Sequence, residues 1–427
     1  MWCNLFIVFL VCVSVRSRDL DFAVVIDAGS TGTRIYVYSY SPSDPMGTMA
    51  AVSHKRVRPS LSSFINETSF DTEALTTQFD LLVHYAKQHI PESSWSGTPF
   101  MIAATAGLRR MDESLRVPLI AGAKEVLLLS ASDFAFLPEA SGVISGDEEA
   151  LYDVMAVSLV AHKNKAELQD IGRYGVIDLG GSSMQYAYPL EEKTCGTHDK
   201  RSYFLRSFSG LGLIEGMETL LAFQLDRGQK RNPCVPPGGV PFDDGMVEGN
   251  GDFGGCVALI KELYLERMLE VSGESVCKSS STSSTSSTSS TFTPKVVVGL
   301  DNVPPLVHLL GLAPLEDSRS VSSRTLISPK DIAESAERLC QRPWQSLLEE
   351  VAPSLPPYRG HRACYGSALL FVLLEEVVLG KCGKQGREEH ASEEHVLLPL
   401  AELPTFGELS WALGAALRLS GQINEQE

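Results

Sequence analysis

The sequence predicts an α/β protein of two lobes. Apolar strand segments alternate with helical ones along a chain of 427 residues, which is long enough for two substantial domains. One pattern also occurs twice. "VVIDAGSTGTRIYVY" (24–38) and "YGVIDLGGSSMQYAY" (174–188) each run apolar strand, aspartate, small-residue turn, alternating strand. That weak internal duplication implies two lobes that open on the same hairpin.

The elements follow in order. Residues 20–40 read as strand, turn, strand. Thr72–Gln88 carries Leu75, Phe79, Leu82, Val83 and Ala86 at helical spacing. Pro99–Ala104 is an apolar strand running into Thr105-Ala106-Gly107. Leu115–Leu129 reads as a helix, Asp133–Leu137 as a short strand and Glu148–His162 as a helix. Past the second hairpin, Met217–Leu225 is helical, and 226–256, rich in Gly, Pro and Asp, reads as loop. Ser279–Thr291 is pure Ser/Thr, with too little apolar surface to order itself, and is a candidate for O-glycosylation. Ile332–Leu339 and Ser367–Val378 read as helices, Lys381–Glu394 as a charged loop, and Trp411–Leu419 as a closing helix.

Composition narrows the function. The formal charge of −17 and the lack of a Lys/Arg cluster disfavour nucleic acid as a partner. Acidity leaves room for a phosphate ligand held by backbone N–H groups and a divalent cation. Trp2–Val15 is nearly all apolar and is followed by Arg16 and Arg18, so residues 1–18 read as a signal peptide, with a retained anchor as the alternative. Of nine cysteines, Cys195, Cys234, Cys256, Cys277, Cys340, Cys364 and Cys382 lie beyond it. None forms a CxxC pair, which disfavours zinc, and in a secretory compartment they read as disulfides with at least one left over. Asn66 heads a glycosylation sequon. There is no GxxxxGK[ST] loop and no HExxH, and the spacing of His390 and His395 does not favour one helix face. Gly210-Leu211-Gly212 reads as a turn.

A turn of the form Asp-x-Gly-Ser between strands suits a phosphate. Its glycines let backbone N–H groups approach an anion, and consecutive N–H groups form a concavity for it. An aspartate at the strand end can hold a hydrated cation, and two such turns facing each other would grip a polyphosphate from both sides. "AATAGLRRM" (103–111) follows a strand, and Thr105 there also reads as a plain helix N-cap. "ISGDEEALYDV" (144–154) places three acids at a helix start, where carboxylates also complement the helix dipole.

Together, "VIDAGSTGTR", "AATAGLRRM", "ISGDEEALY" and "VIDLGGSSMQ" resemble, in order, the conserved blocks of the ecto-nucleoside triphosphate diphosphohydrolases, or apyrases. "SWALGAAL" (410–417) is similar to a fifth block, and the resemblance spans roughly 22–420. "RPSLSSF", "SFSGLGL", "NPCVPPG" and "LCQRPW" look like further landmarks of that family. The resemblance implies an actin-like, ribonuclease-H-like ATPase fold with a cleft active site, lobe I at 20–147 plus 405–427 and lobe II at 148–404. It implies hydrolysis of a terminal nucleotide phosphate with Ca²⁺ or Mg²⁺ and no phosphoenzyme. By position, Glu149 is the implied base, Ser183 and Gln185 hold the attacking water, and Asp27 and Asp178 act on the metal through water. Gly29, Ser30, Thr31, Gly32, Thr33, Arg34, Thr105, Ala106, Gly107, Gly180, Gly181 and Ser182 are the implied phosphate-binding set. Family pairing would join Cys234 to Cys256 and Cys340 to Cys364.

Several positions depart from the family pattern: Ala150 stands where Gly is usual, Met184 where Thr is, and Val154 where Trp is. The segment 303–323 contains no aromatic residue where the family usually has one, so base stacking falls to other residues. Arg34 and "SWALGAAL" look like the soluble endomembrane nucleoside-diphosphatase branch, which implies a lumenal or secreted enzyme preferring diphosphates. The alternatives are an exopolyphosphatase or sugar-type kinase on the same scaffold, or a catalytically inactive nucleotide-binding protein.

Overall fold

Both predicted hairpins form, and each seeds a sheet of the same topology. A computed structural model describes residues 20–65, 70–163, 174–190, 200–229, 231–242, 245–271, 274–275, 294, 296–313, 326–351, 357–380, 394, 396–399, 402–403 and 407–422. In the first sheet β1 (Asp21–Gly29), β2 (Gly32–Tyr40) and β3 (Ala50–Val57) form an antiparallel meander. α1 (Thr72–His89) then leads to β4 (Pro99–Ala104), which pairs in parallel with β1. The short α2 (Ala106–Arg109) and α3 (Glu113–Ser130) lead on to β5 (Ala135–Phe136) and β6 (Gly142–Val143), both parallel to β4. The strand expected over Asp133–Leu137 is thus only two residues, Ala135 and Phe136.

α4 (Gly146–Lys163) connects to the second sheet. There β7 (Tyr174–Leu179), β8 (Ser183–Pro189) and β9 (Tyr203–Ser209) form the antiparallel meander again. After α5 (Glu215–Asp226), β10 (Gly238–Phe242), β11 (Gly245–Gly249) and α6 (Phe253–Leu269), β12 (Val296–Asp301) pairs in parallel with β7. α7 (Val303–Leu309), α8 (Pro329–Cys340) and α9 (Ala363–Val372) follow, and β13 (Leu397–Pro399) adds in parallel to β12. The order is 3-2-1-4-5 in one sheet and 9-8-7-12-13 in the other, so the duplication seen in two short motifs extends to whole sheets.

The closing helix α10 (Trp411–Gln422) packs on α4, and both share one core with the inner faces of both sheets, represented by Val25 and Tyr38 on one side and Val176 and Ala187 on the other. Two further cores lie on the outer faces. Gly414 sits at the α10–α4 crossing: a Cβ there would lie 2.0 Å from the Tyr152 carbonyl oxygen. The glycine of "SWALGAAL" is therefore what lets the two helices approach. Arg418 closes the contact, donating to the Tyr152 hydroxyl at 2.8 Å.

The reading of 226–256 as loop needs correction. It holds the β10–β11 hairpin, with Val240 across from Val247, and the start of α6 at Phe253. Two of its glycines serve close packing: a Cβ on Gly249 would lie 2.1 Å from the Pro236 carbonyl oxygen, and one on Gly251 2.0 Å from that of Cys340. The helix expected over Ser367–Val378 begins earlier, at Ala363, and its final stretch Leu373–Val378 is π-helical. Strands β3, β9 and β12 and helix α7 have no counterpart in the sequence reading.

The disulfides Cys234–Cys256 and Cys340–Cys364 form, both within the outer core of the second lobe. Cys195, Cys277, Cys382, the Asn66 sequon, the Ser/Thr tract, His390, His395 and the apolar N-terminal segment lie outside the described residues. Among the described residues, no helix is long and apolar enough to cross a membrane.

Candidate active site

The two hairpins present their aspartates in the same register. Asp27 lies opposite Arg34 on β1 and β2, and Asp178 lies opposite Gln185 on β7 and β8. Both aspartates are buried at the last turns of their strands. In the first hairpin the opposing residue neutralises the acid, with Arg34 Nη1 3.1 Å from Asp27 Oδ2. In the second it does not: Gln185 turns to Glu149 instead.

The hairpin turns are held from behind. Arg56 Nη2 donates to both the carbonyl and the hydroxyl of Thr31, each at 2.8 Å. In the second turn the Gly180, Gly181 and Ser182 carbonyls accept from the N–H groups of Leu213, Ile214 and Gly210 at 2.8–2.9 Å. A trans peptide sets its N–H opposite its C=O, so the N–H groups of Gly181, Ser182 and Ser183 are directed away from that support, as an anion cradle requires. Gly210-Leu211-Gly212 is a turn as expected, and also a buttress. A Cβ on Gly212 would lie 2.4 Å from the Gly181 carbonyl, so only glycine permits this backbone contact.

The two turns meet across the cleft. A Cβ on Gly181 would stand 2.9 Å from Ser30 Oγ, and one on Gly107 2.9 Å from Ser30 Cβ. The structure therefore brings Ser30, Thr31, Gly107 and Gly181 together. Thr105 occupies the N-cap position of α2, but its side chain makes no capping hydrogen bond, and it is buried beside Ala106. Thr33 sits elsewhere: its hydroxyl is in the core of the first lobe, accepting from Gln78 at 3.3 Å.

The acids at the start of α4 divide into two roles. Glu148 caps the helix, accepting from the Ser145 N–H at 2.9 Å and hydroxyl at 3.0 Å. Glu149 turns inward and is 7% exposed. Arg109 Nη1 lies 2.8 Å from its Oε2, and Gln185 Nε2 donates to the same oxygen at 3.3 Å. Gln185 Nε2 also reaches the Ser183 hydroxyl at 2.8 Å and that of Ser207 at 3.0 Å, while Arg109 Nη2 donates to Ser183 at 3.2 Å. Glu149, Ser183 and Gln185, three residues from two distant segments, thus form one hydrogen-bonded group organised by Arg109.

Negative charge is in excess around this group. Asp27, Glu149, Asp153, Asp178 and Asp301 lie within electrostatic range of one another, against Arg34 and Arg109. Burial pushes the Asp27 carboxyl up to about 7, with Arg34 opposing. Burial also raises Glu149, with Arg109 opposing. Asp178 is raised well above the usual carboxylate range by burial and by the neighbouring charges of Asp301 and Glu149. Asp27 Oδ1 and Asp178 Oδ1 are buried without a hydrogen-bond partner. Hard, oxygen-only donors with uncompensated charge fit a divalent cation such as Ca²⁺ or Mg²⁺. Among the described residues no group of three or more His, Cys, Asp or Glu side chains could hold a metal ion by themselves.

Sequence reasoning passed over Arg109, Asp153, Ser207 and Asp301. Arg109 lies within the quoted "AATAGLRRM", and Asp153 stands one helical turn from Glu149, the i, i+4 spacing that puts both on one face. Asp301 ends β12 in "VVVGLD", a third apolar strand closing on an aspartate. Asn302 beside it donates to the Leu179 carbonyl at 2.9 Å and accepts from Arg359 Nε at 3.0 Å, fixing this strand end to the second hairpin. The apolar side chains of α7 are buried in the second-lobe core, so this helix offers no surface for a base.

Comparison with known proteins agrees with this geometry. The model of the GDA1/CD39 (nucleoside phosphatase) family matches residues 13–427. A protein named probable apyrase 5 from Arabidopsis thaliana is 26% identical over 94% of this chain and 82% of its own. A guanosine-diphosphatase from Candida albicans is 27% identical over 56% of this chain, and the match spans 45% of that protein's length. Among solved structures, a nucleoside triphosphate hydrolase from Neospora caninum superposes with a TM-score of 0.60 at 17% identity, covering 95% of this chain and 93% of the other. The actin-like, two-lobed fold expected from the sequence is the one observed.

Proposed function

The chain belongs to the GDA1/CD39 (nucleoside phosphatase) family, and from that premise we propose that it hydrolyses the terminal phosphate of nucleoside di- and triphosphates, preferring diphosphates. The observation that carries the reading is the placing of Glu149, Ser183 and Gln185 in one hydrogen-bonded group beside two facing phosphate-type turns. The named activity of the Candida relative supports the diphosphate preference. We assign lobe I to 20–147 plus 405–427 and lobe II to 148–404. The two disulfides support a lumenal or secreted location.

In this reading the N–H edges of the 29–32 and 180–183 turns cradle the phosphate chain, with Ser30, Thr31 and Ser182 adding hydroxyl donors. Ser183 and Gln185 orient a water in line with the terminal phosphorus. Glu149 takes the water's proton as the new O–P bond forms and the bond to the bridging oxygen breaks, so inorganic phosphate and the shortened nucleotide leave with no phosphoenzyme between. A buried glutamate with a raised proton affinity is a stronger base, and Arg109 keeps it ionised for the task. Asp27 and Asp178 would hold Ca²⁺ or Mg²⁺ through water, and when bound the cation would neutralise the charge that develops on the leaving oxygen.

The test is phosphate release from UDP, GDP, ADP and ATP with Ca²⁺, Mg²⁺ or EDTA. Release that needs the cation and is faster from diphosphates supports the reading. Absence of cation-dependent release from every nucleotide overturns it, and release from polyphosphate alone would move the chain to the exopolyphosphatase alternative.

A further inference from the structure

We infer that Asp153 is a cation-binding carboxylate of this site, seating the divalent ion jointly with Asp178. The inference rests on the cation-dependent reading above and goes beyond it by adding a residue outside the blocks that carry the family resemblance.

Asp153 lies on α4 one turn beyond Glu149 and is wholly inaccessible to solvent. Neither of its carboxylate oxygens accepts a hydrogen bond from an N–H or hydroxyl donor; the polar group against it is the carboxyl of Asp178. A helix interior flanked by Tyr152 and Val154 gives no reason to bury an acid there, and an alanine would serve the helix better. Its neighbour is another acid: Asp153 lies against Asp178, whose Oδ1 is likewise buried and without a partner, and both lie in the field of Glu149 and Asp301. The arginines at the site are engaged elsewhere, Arg34 with Asp27 and Arg109 with Glu149 and Ser183.

Two adjacent buried carboxylates that meet each other rather than a donor are unfavourable for an empty fold and favourable for one that binds a small dication. Ca²⁺ and Mg²⁺ take oxygen donors, and both complete their shells with water and substrate phosphate when only one or two carboxylates are on offer. Asp153 and Asp178 present that number, next to the turn that would carry the phosphate. The pair also explains why α4 supplies two inward acids a turn apart: Glu149 for the water and Asp153 for the ion.

The test is calorimetric titration of the full chain with CaCl₂ and with MgCl₂, and thermal melting in each salt and in EDTA, for the wild type, Asp153→Asn, Asp153→Ala and Asp178→Asn. The wild type is expected to bind and to melt higher in the cation than in EDTA. Both Asp153 variants are expected to bind the cation at least tenfold more weakly, to lose most of the cation-dependent rise, and to melt higher than the wild type in EDTA, which also shows that they fold. Wild-type affinity in Asp153→Asn and Asp153→Ala would overturn the inference: Asp153 would then be a protonated structural partner of Asp178. Loss of affinity in Asp178→Asn alone would leave the cation reading standing and this inference refuted. A wild type that binds neither cation, with or without nucleotide, would sink both.

Discussion

Arg109 joins Glu149 to Ser183, with Nη1 2.8 Å from the carboxylate and Nη2 3.2 Å from the hydroxyl. This one guanidinium sets where the proposed base sits and opposes the effect of burial on its charge. Replacing it with methionine leaves a buried, unpaired carboxylate, at a cost of about 3–5 kcal/mol in stability. Glu149 is raised by burial and lowered by Arg109, so removing Arg109 raises it further. A base must be ionised to act, so activity falls off at low pH. We expect the acid limb of the kcat/KM profile to move to higher pH in Arg109→Met and much less in Arg109→Lys. An unmoved limb would show that Arg109 does not govern the base.

The α10–α4 crossing depends on Gly414. Gly414→Ala would drive a methyl group to 2.0 Å from the Tyr152 carbonyl oxygen, where backbone has to shift. Overpacking of this kind costs about 1–3 kcal/mol. Urea denaturation should show a midpoint lowered accordingly, whereas Gly311→Ala, with nothing within reach of the new Cβ, tests only the cost of its positive φ of 72°.

Among the described residues, the disulfides Cys234–Cys256 and Cys340–Cys364 both staple the second lobe. Cys234–Cys256 and Cys340–Cys364 close loops with sequence separations of 22 and 24. Chain-entropy reasoning assigns each about 3 kcal/mol. Reduction under native conditions, or the paired replacement of Cys340 and Cys364 by serine, should lower stability by that order, read as a shift in the denaturation midpoint.

His361 makes stability depend on pH. It lies beside Trp344, its Nε2 accepts from Arg362, and burial with the Arg362 charge pushes it down to about 3 from an ordinary 6.5. Between those values the unfolded chain takes up a proton that the folded chain refuses. The stability is therefore complete above about pH 6.5 and is lost as pH falls toward 3, at no more than about 1.4 kcal/mol per pH unit. His361→Gln should flatten that part of the stability profile; an unchanged slope would place the acid sensitivity elsewhere.

The hairpins were legible in the sequence because each is a local pattern. An apolar strand, an aspartate and a small-residue turn signal themselves within fifteen residues, and Asp27 and Asp178 stand where that pattern put them. The roles of Glu148 and Glu149 were not separable from their spacing. The separation comes from tertiary contacts, Ser145 claiming one and Arg109 the other. The β10–β11 hairpin carries the composition of a loop because glycine marks backbone packing, as at Gly249, as well as turns, and composition alone does not distinguish the two. Asp153 went unread because a single acid in a helix gains meaning only when its neighbour across space is known to be Asp178.

The central claim is that Glu149 activates the water, and single-turnover hydrolysis by Glu149→Gln tests it most directly. The account predicts that phosphate release from GDP and UDP slows by about 10²- to 10⁴-fold while nucleotide affinity stays near that of the wild type, and that Glu148→Gln, altered at the helix cap and at the ion pair with Lys200, retains most of its rate. A Glu149→Gln enzyme turning over near the wild-type rate, with Glu148→Gln inactive, would contradict it.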